Sequence, residues 1–415
     1  MDFKEKINLM GVAGVYLYML SSVTSKAGIN IGTGLMVLSS LFLMKNLKKD
    51  YIEKEQKYFL FLIILIPIFD FFSPGGWNST KITLEKSYRF LPLFLAPIFL
   101  DSLKKIKNVL FLLAISVGIN CIYGLYLYKE KMWNFTLRYQ SITTYMDSAH
   151  ILTSLSFLIL PFLIIQVKNK QIKSSCFLGS IYILDLICIL LGQSRGAWLA
   201  LIGTMIIFLF FSLNKKIFLI ISLIIILLSG ILIKSENLNN NQYIRRFKSI
   251  KEIDDDSPKI RLLMWEASVE IYKNNFIFGV GKDNSPKYFL QYFDKNDSYK
   301  EVTESGINMM KSVAKSGNTH NMYFENLVNM GSLFLGLLLF WIYILIEQVK
   351  FLIKLKKDDE YFWIILGTVC VTFSYYLTGM TEAAWGTFFK RNIYLVGLII
   401  YFSIKKIKFE KNKKI

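Results

Sequence analysis

Apolar runs long enough to cross a bilayer recur along almost the whole chain. A hydrocarbon core of about 30 Å takes about 20 apolar residues in a helix. Runs of that kind lie near 8–25, 29–45, 58–73, 88–101, 108–127, 150–167, 174–193, 196–213, 216–234, 320–348, 361–380 and 387–404. The pattern predicts an all-α polytopic membrane protein with about twelve spans. Two runs are weaker than the rest: 88–101 is short and holds Pro92 and Pro97, and 387–404 carries Lys390 and Arg391 at its start. Proline alone does not argue against a span, because neighbouring helices satisfy the backbone groups it frees.

One interval breaks the rhythm. Residues 235–319 are too long for a connector and have a pattern of their own, which marks a functional loop. Within it Ile260, Leu263, Met264, Ala267 and Ile271 recur at helical spacing, so an amphipathic helix is expected there, lying on or near a membrane surface. Arg261 and Trp265, four apart, share one stripe of that helix. Asn274 and Asn275 end it, and Gly279-Val280-Gly281 makes a turn where backbone can approach a ligand or another helix closely. The chain divides accordingly into spans one to nine (1–234), the large loop (235–319), spans ten to twelve (320–404) and a basic tail (405–415).

Composition narrows the class. Of 415 residues 53% are apolar and only 19% charged, which excludes a soluble enzyme and a disordered chain. The net charge of +19 would suit a polyanion binder, but its position along the chain says otherwise. Lysines crowd every second connection, among them Lys45 to Lys57, Lys104 to Lys107, Lys168 to Lys173, Lys350 to Lys357 and the tail, while the intervening connections are poor in them. Cytoplasmic loops collect such charge, so both termini are expected in the cytoplasm and loop 235–319 outside. That loop holds 13 basic and 12 acidic residues and is no polycation. No nucleic-acid partner is implied. The first span, preceded by Lys4 and Lys6, suggests a signal anchor, and the four cysteines neither pair plausibly nor show metal-ligand spacing.

Chemistry collects on the side predicted to be external. Arg195 opens a span in Ser194-Arg195-Gly196-Ala197-Trp198, where a guanidinium near bilayer depth calls for something anionic, unless it snorkels to headgroups. His320, in Thr319-His320-Asn321, enters the tenth span and could accept a proton or simply pack at a helix entry. His150 lies at a similar boundary with nothing nearby in sequence to support catalysis and is expected to pack. Arg195, Arg261 and His320 fall on one side under a topology derived from loop charge alone. Two guanidinium forks match a diphosphate, and an imidazole beside them suits activation of a hydroxyl. Arg245 and Arg246 could touch lipid phosphates; Asp185, mid-span, could pair with a cation. Asp254 to Asp256 form a solvated turn rather than a metal site.

These motifs resemble the O-antigen ligase family, membrane glycosyltransferases grouped with the O-antigen polymerases. The resemblance is carried by Ser194 to Trp198, Arg261 to Trp265, Phe278-Gly279-Val280-Gly281 and His320-Asn321, and is specific over 190–345. Many members have proline shortly before the glycine pair, where this chain has Phe276. The family implies a metal-independent GT-C-type enzyme without cofactor. It would move a glycan from an undecaprenyl diphosphate carrier to a hydroxyl, such as that of lipid A core or another glycan, on the outer face of the inner membrane. Arg195 and Arg261 would bind the diphosphate and His320 would be the base, with Trp265 and Asn321 in support. A repeat-unit polymerase and a protein O-glycosylating transferase share these residue types. A twelve-span transporter would need internal repeats and a central cytoplasmic loop, neither of which the sequence shows.

Overall fold

A computed structural model describes residues 3–43, 52–130, 138–220, 256–296 and 302–412. The described residues are helical and contain no strand. The first six helices are α1 (Phe3–Leu20), α2 (Lys26–Leu43), α3 (Lys54–Phe72), α4 (Gly76–Ser87), α5 (Leu91–Phe99) and α6 (Leu103–Glu130). They are followed by α7 (Tyr145–Lys168), α8 (Ile172–Leu191) and α9 (Arg195–Ser212). Three helices of the large loop come next: α10 (Asp256–Asn274), α11 (Ser285–Lys295) and α12 (Glu304–Ser316). The chain ends in α13 (Met322–Met330), α14 (Ser332–Ile353), α15 (Glu360–Gly379) and α16 (Phe388–Asn412). Seven of these, α2, α6 to α9, α14 and α15, are long and apolar enough to cross a membrane. Most of the run at 216–234, together with Arg245 and Arg246, lies outside the described residues.

Helices α7 and α15 form the centre. Their sides are covered by other helices, so Ser, Thr and Gly face protein and let the backbones approach; Ser154 Oγ lies 3.0 Å from Ser374 Oγ across the contact. The peripheral helices α3, α8, α9 and α14 leave Ile64, Ile183, Ile206 and Leu339 exposed, as lipid-facing residues are. At one end of the bundle, lysines lock the helix ends together. Lys107 meets Glu360 at 2.6 Å, Lys408 meets Asp359 at 2.7 Å, and Lys405 meets Glu55 at 2.6 Å. The large loop sits at the opposite end.

Three elements differ from the sequence pattern. The weak run at 88–101 contains only nine residues of α-helix, α5, too short to span about 30 Å alone. It continues a polar helix, α4, through a short 3₁₀ turn, and α4 folds back on α3 with the Thr83 hydroxyl donating to the Asp70 carboxylate. Lipid-facing periodicity could not find a half-helix whose polar face is covered by protein. The run at 320–348 is two helices, broken at Gly331 (φ +59°). The loop helix α10 does not rest its apolar stripe on a membrane surface. Ile260, Leu263, Met264, Ala267 and Ile271 are buried with Phe289, Phe293, Met310, Ala314 and Val328 in a second small core formed with α11, α12 and α13. The amphipathicity is as expected, but its partner is protein.

Candidate active site

Arg195, Arg261 and His320 line one cavity of about 350 Å³ at the loop end of the bundle. Arg195 is delivered by a tight turn between α8 and α9, with Gln193 in the left-handed region at φ +48°. Ser194 caps α9, its Oγ accepting from the Ala197 N–H at 3.4 Å. The next residue, Gly196, is pressed against the chain after α15: a Cβ there would lie 2.8 Å from the Thr381 Cβ. Only glycine lets the Arg195 backbone come this close to the 381–387 connection.

Arg261 projects from α10 beside its buried stripe. Burial pulls its pKa below the usual arginine value, Glu382 opposes the shift, and the neighbouring cations Arg195 and Arg138 add to it. One turn along, the Trp265 indole N–H donates to the Thr319 carbonyl at 3.0 Å and its ring stacks on Phe324, centroids 5.5 Å apart. Helix α10 thus presents Arg261 and clamps the His320 segment at once.

His320 stands at φ +51°, a left-handed conformation that costs a non-glycine residue roughly 1–2 kcal/mol. Its flanks enforce that geometry. The His320 N–H donates to Asn318 Oδ1 at 2.8 Å, and the Thr319 hydroxyl donates to the Asn321 carbonyl at 2.7 Å. Asn321 caps α13, accepting from the N–H groups of Tyr323 and Phe324, while its Nδ2 donates to the Met380 carbonyl at 3.1 Å. Trp265 and Asn321 therefore act on the site by holding His320.

The imidazole Nδ1 faces Glu382 Oε1 at 3.7 Å, too long for a hydrogen bond. Glu382 is 5% exposed. Burial raises its pKa, but the polar contact with His320 and the charge of Lys390 outweigh that and hold it at about 2. Lys390 lies 3.7 Å from Glu382 and 2.6 Å from Asp147. Arg138, over the Tyr145 ring at 4.5 Å, completes the basic wall. His150, expected to pack, is buried with Nε2 3.1 Å from Ser194 Oγ, and it also lines this cavity.

Sequence reasoning missed Glu382, Asp147, Arg138 and Lys390. The available signal was Lys390 within an apolar run together with a lone Glu382 in an otherwise uncharged connection; a buried cation demands an acid. Asp185 is not brought to the cavity. It is fully buried in α8, and no described residue gives its carboxylate a hydrogen bond, so the expected cation partner is not found among the described residues. Phe276, in the position where proline was expected, uses its carbonyl: the Ser332 N–H donates to it at 2.8 Å.

Residues 180–341, from the second half of α8 into α14, match the family model described as O-antigen ligase. Over this segment the chain is similar to that family. Members of that family are glycosyltransferase-like enzymes, and the long apolar helices are those of a multi-pass membrane protein. The matched segment contains Arg195, Arg261 and His320, whereas Arg138 and Glu382 line the cavity from outside it and Lys390 stands behind Glu382. A comparison with curated proteins finds no match.

Proposed function

We propose that this O-antigen ligase-like protein transfers a glycan from an undecaprenyl diphosphate carrier to a sugar hydroxyl, lipid A core or an equivalent glycan, on the outer face of the inner membrane. The observation that carries the reading is the composition of a single cavity, with guanidiniums on one wall and an imidazole backed by a buried, ionised carboxylate on another. A diphosphate is a good leaving group, and fixed guanidiniums neutralise the charge that grows on it as the bond to the sugar breaks. The enzyme is accordingly read as metal-independent, of GT-C type, with arginines supplying the positive charge.

His320 takes the proton from the acceptor hydroxyl as that oxygen forms its bond to the anomeric carbon. The carbon–oxygen bond to the diphosphate breaks, and the carrier departs as the lipid diphosphate. A single displacement of this kind inverts the anomeric centre. With Nδ1 turned towards Glu382, Nε2 is left for the acceptor, and the carboxylate stabilises the imidazolium that forms. General-base help of this sort is worth about 10²- to 10⁴-fold.

Glycan profiles of cells test the reading and its acceptor. Loss of a ligase leaves polymer on the carrier and none on the acceptor, and neither Arg195→Ala nor His320→Ala restores transfer. Core capped by single repeat units would assign polymerisation instead, and an unchanged profile would contradict both.

A further inference from the structure

A second pair of arginines lies on the far side of the 381–387 connection. Arg89, in the 3₁₀ turn between α4 and α5, and Arg391, in the first turn of α16, line a small cavity of about 130 Å³ with Ile63, Ile66, Met330 and Trp385. Arg391 is 8% exposed, the buried Nε of Arg89 has no hydrogen-bond partner, and neither arginine forms an ion pair with an acid among the described residues. Their faces are occupied by aromatic rings: Arg89 stands over Phe388 at 4.8 Å and Arg391 over Phe90 at 4.9 Å. Stacking leaves the N–H edges of both forks open, and it recovers only part of the cost of desolvating a guanidinium.

The contrast with the neighbouring residue is direct. Successive residues on a helix point about 100° apart. Lys390 turns towards Asp147 and Glu382 and is neutralised there, whereas Arg391 turns to the other side and meets Arg89, another cation. Lys86 and Lys282 line the same cavity, and both are served by one exposed acid, Asp283, at 3.7 and 3.5 Å. The arginines have no such partner. Two like charges lining one cavity, Arg391 buried and Arg89 half-buried, call for an anion with oxygens enough for both forks. The remaining wall is aliphatic and belongs to α3, whose Leu60, Ile64 and Ile68 face outward from the bundle.

We infer that the Arg89–Arg391 cavity is a second phosphoryl-binding site, one that takes the headgroup phosphate of a membrane amphiphile whose chain lies along α3. It is separate from the Arg195–Arg261 cavity, and its occupancy does not depend on the transfer chemistry proposed there. In a transferase, such a site would seat a second phospholipid-type substrate, or a bilayer lipid, beside the reacting centre.

The test uses the full-length protein in phosphatidylcholine nanodiscs, titrated with undecaprenyl phosphate and, separately, with inorganic phosphate, with bound molecules counted by native mass spectrometry. Two classes of undecaprenyl phosphate site are expected in the parent. Arg89→Gln, at a half-buried position, should weaken one class by roughly 10- to 100-fold, as for loss of charged hydrogen bonds. Arg89→Lys should recover part of that affinity, and Arg261→Gln should leave this class intact while weakening the other. Equal binding in folded Arg89→Gln and parent overturns the inference. Inorganic phosphate that binds as tightly, with the same dependence on Arg89, overturns the amphiphile as occupant. An Arg261→Gln variant that keeps both classes would instead count against the donor site, so the two failures are distinguishable.

Discussion

Glu382 is buried and yet ionised, because the positive groups around it more than offset the cost of desolvation. Its folded pKa of about 2 lies below its ordinary 4.5, so the stability it contributes is complete above about pH 4.5 and is lost as pH falls towards 2. Thermal unfolding of parent and Glu382→Gln in nanodiscs should therefore differ at neutral pH and converge in acid; a constant difference would contradict the ion-pair assignment. The same substitution should lower turnover by roughly 10-fold or more, with less effect on donor binding, because it removes the charge behind the base rather than a donor contact. Arg195, Arg261 and His320 were legible because each sits in a short local motif. Glu382 and Asp147 were not, because what marks them is proximity to Lys390 across distant helices, which no local pattern contains.

At the scale of elements, the turn at 276–281 and the break between α13 and α14 are one construction. Val280 and Gly281 donate to the Val328 and Asn329 carbonyls at 2.9 and 3.1 Å, and Gly279 (φ +67°) packs so closely that a Cβ would lie 2.6 Å from the Asn329 carbonyl carbon. This strand-like crossing consumes the carbonyls that a continuous helix would have used, which is why the apolar run at 320–348 is interrupted at Gly331. Gly279→Ala should destabilise the protein by at least about 1–2 kcal/mol through the positive φ alone, and abolish transfer if the loop dislodges Arg261. Asn321→Ala should cost about 1 kcal/mol as a lost cap and lower activity by releasing His320. Unfolding midpoints and transfer rates check both. The sequence pattern marked the glycine turn as a close approach and the α10 stripe as amphipathic. It could not show what either would meet, because partners are a property of the fold.

Across the whole molecule the two ends of the bundle differ in kind. Among the described residues, Lys107 and Lys408 tie helix ends together at one, and Arg138, Arg195 and Arg261 gather around a cavity at the other. The charge rule then expects the lysine end in the cytoplasm. In a variant freed of its native cysteines, Ser316→Cys should react with a membrane-impermeant maleimide in spheroplasts and Lys356→Cys only after permeabilisation; the reverse would invert the topology. The most direct test of the transfer site is reconstitution of the purified protein with a labelled undecaprenyl diphosphate glycan and a hydroxyl acceptor. Parent protein should move label to the acceptor, and folded His320→Ala and Arg261→Ala should be slower by roughly 10²-fold or more. Transfer at the parental rate by either folded variant would contradict the assignment.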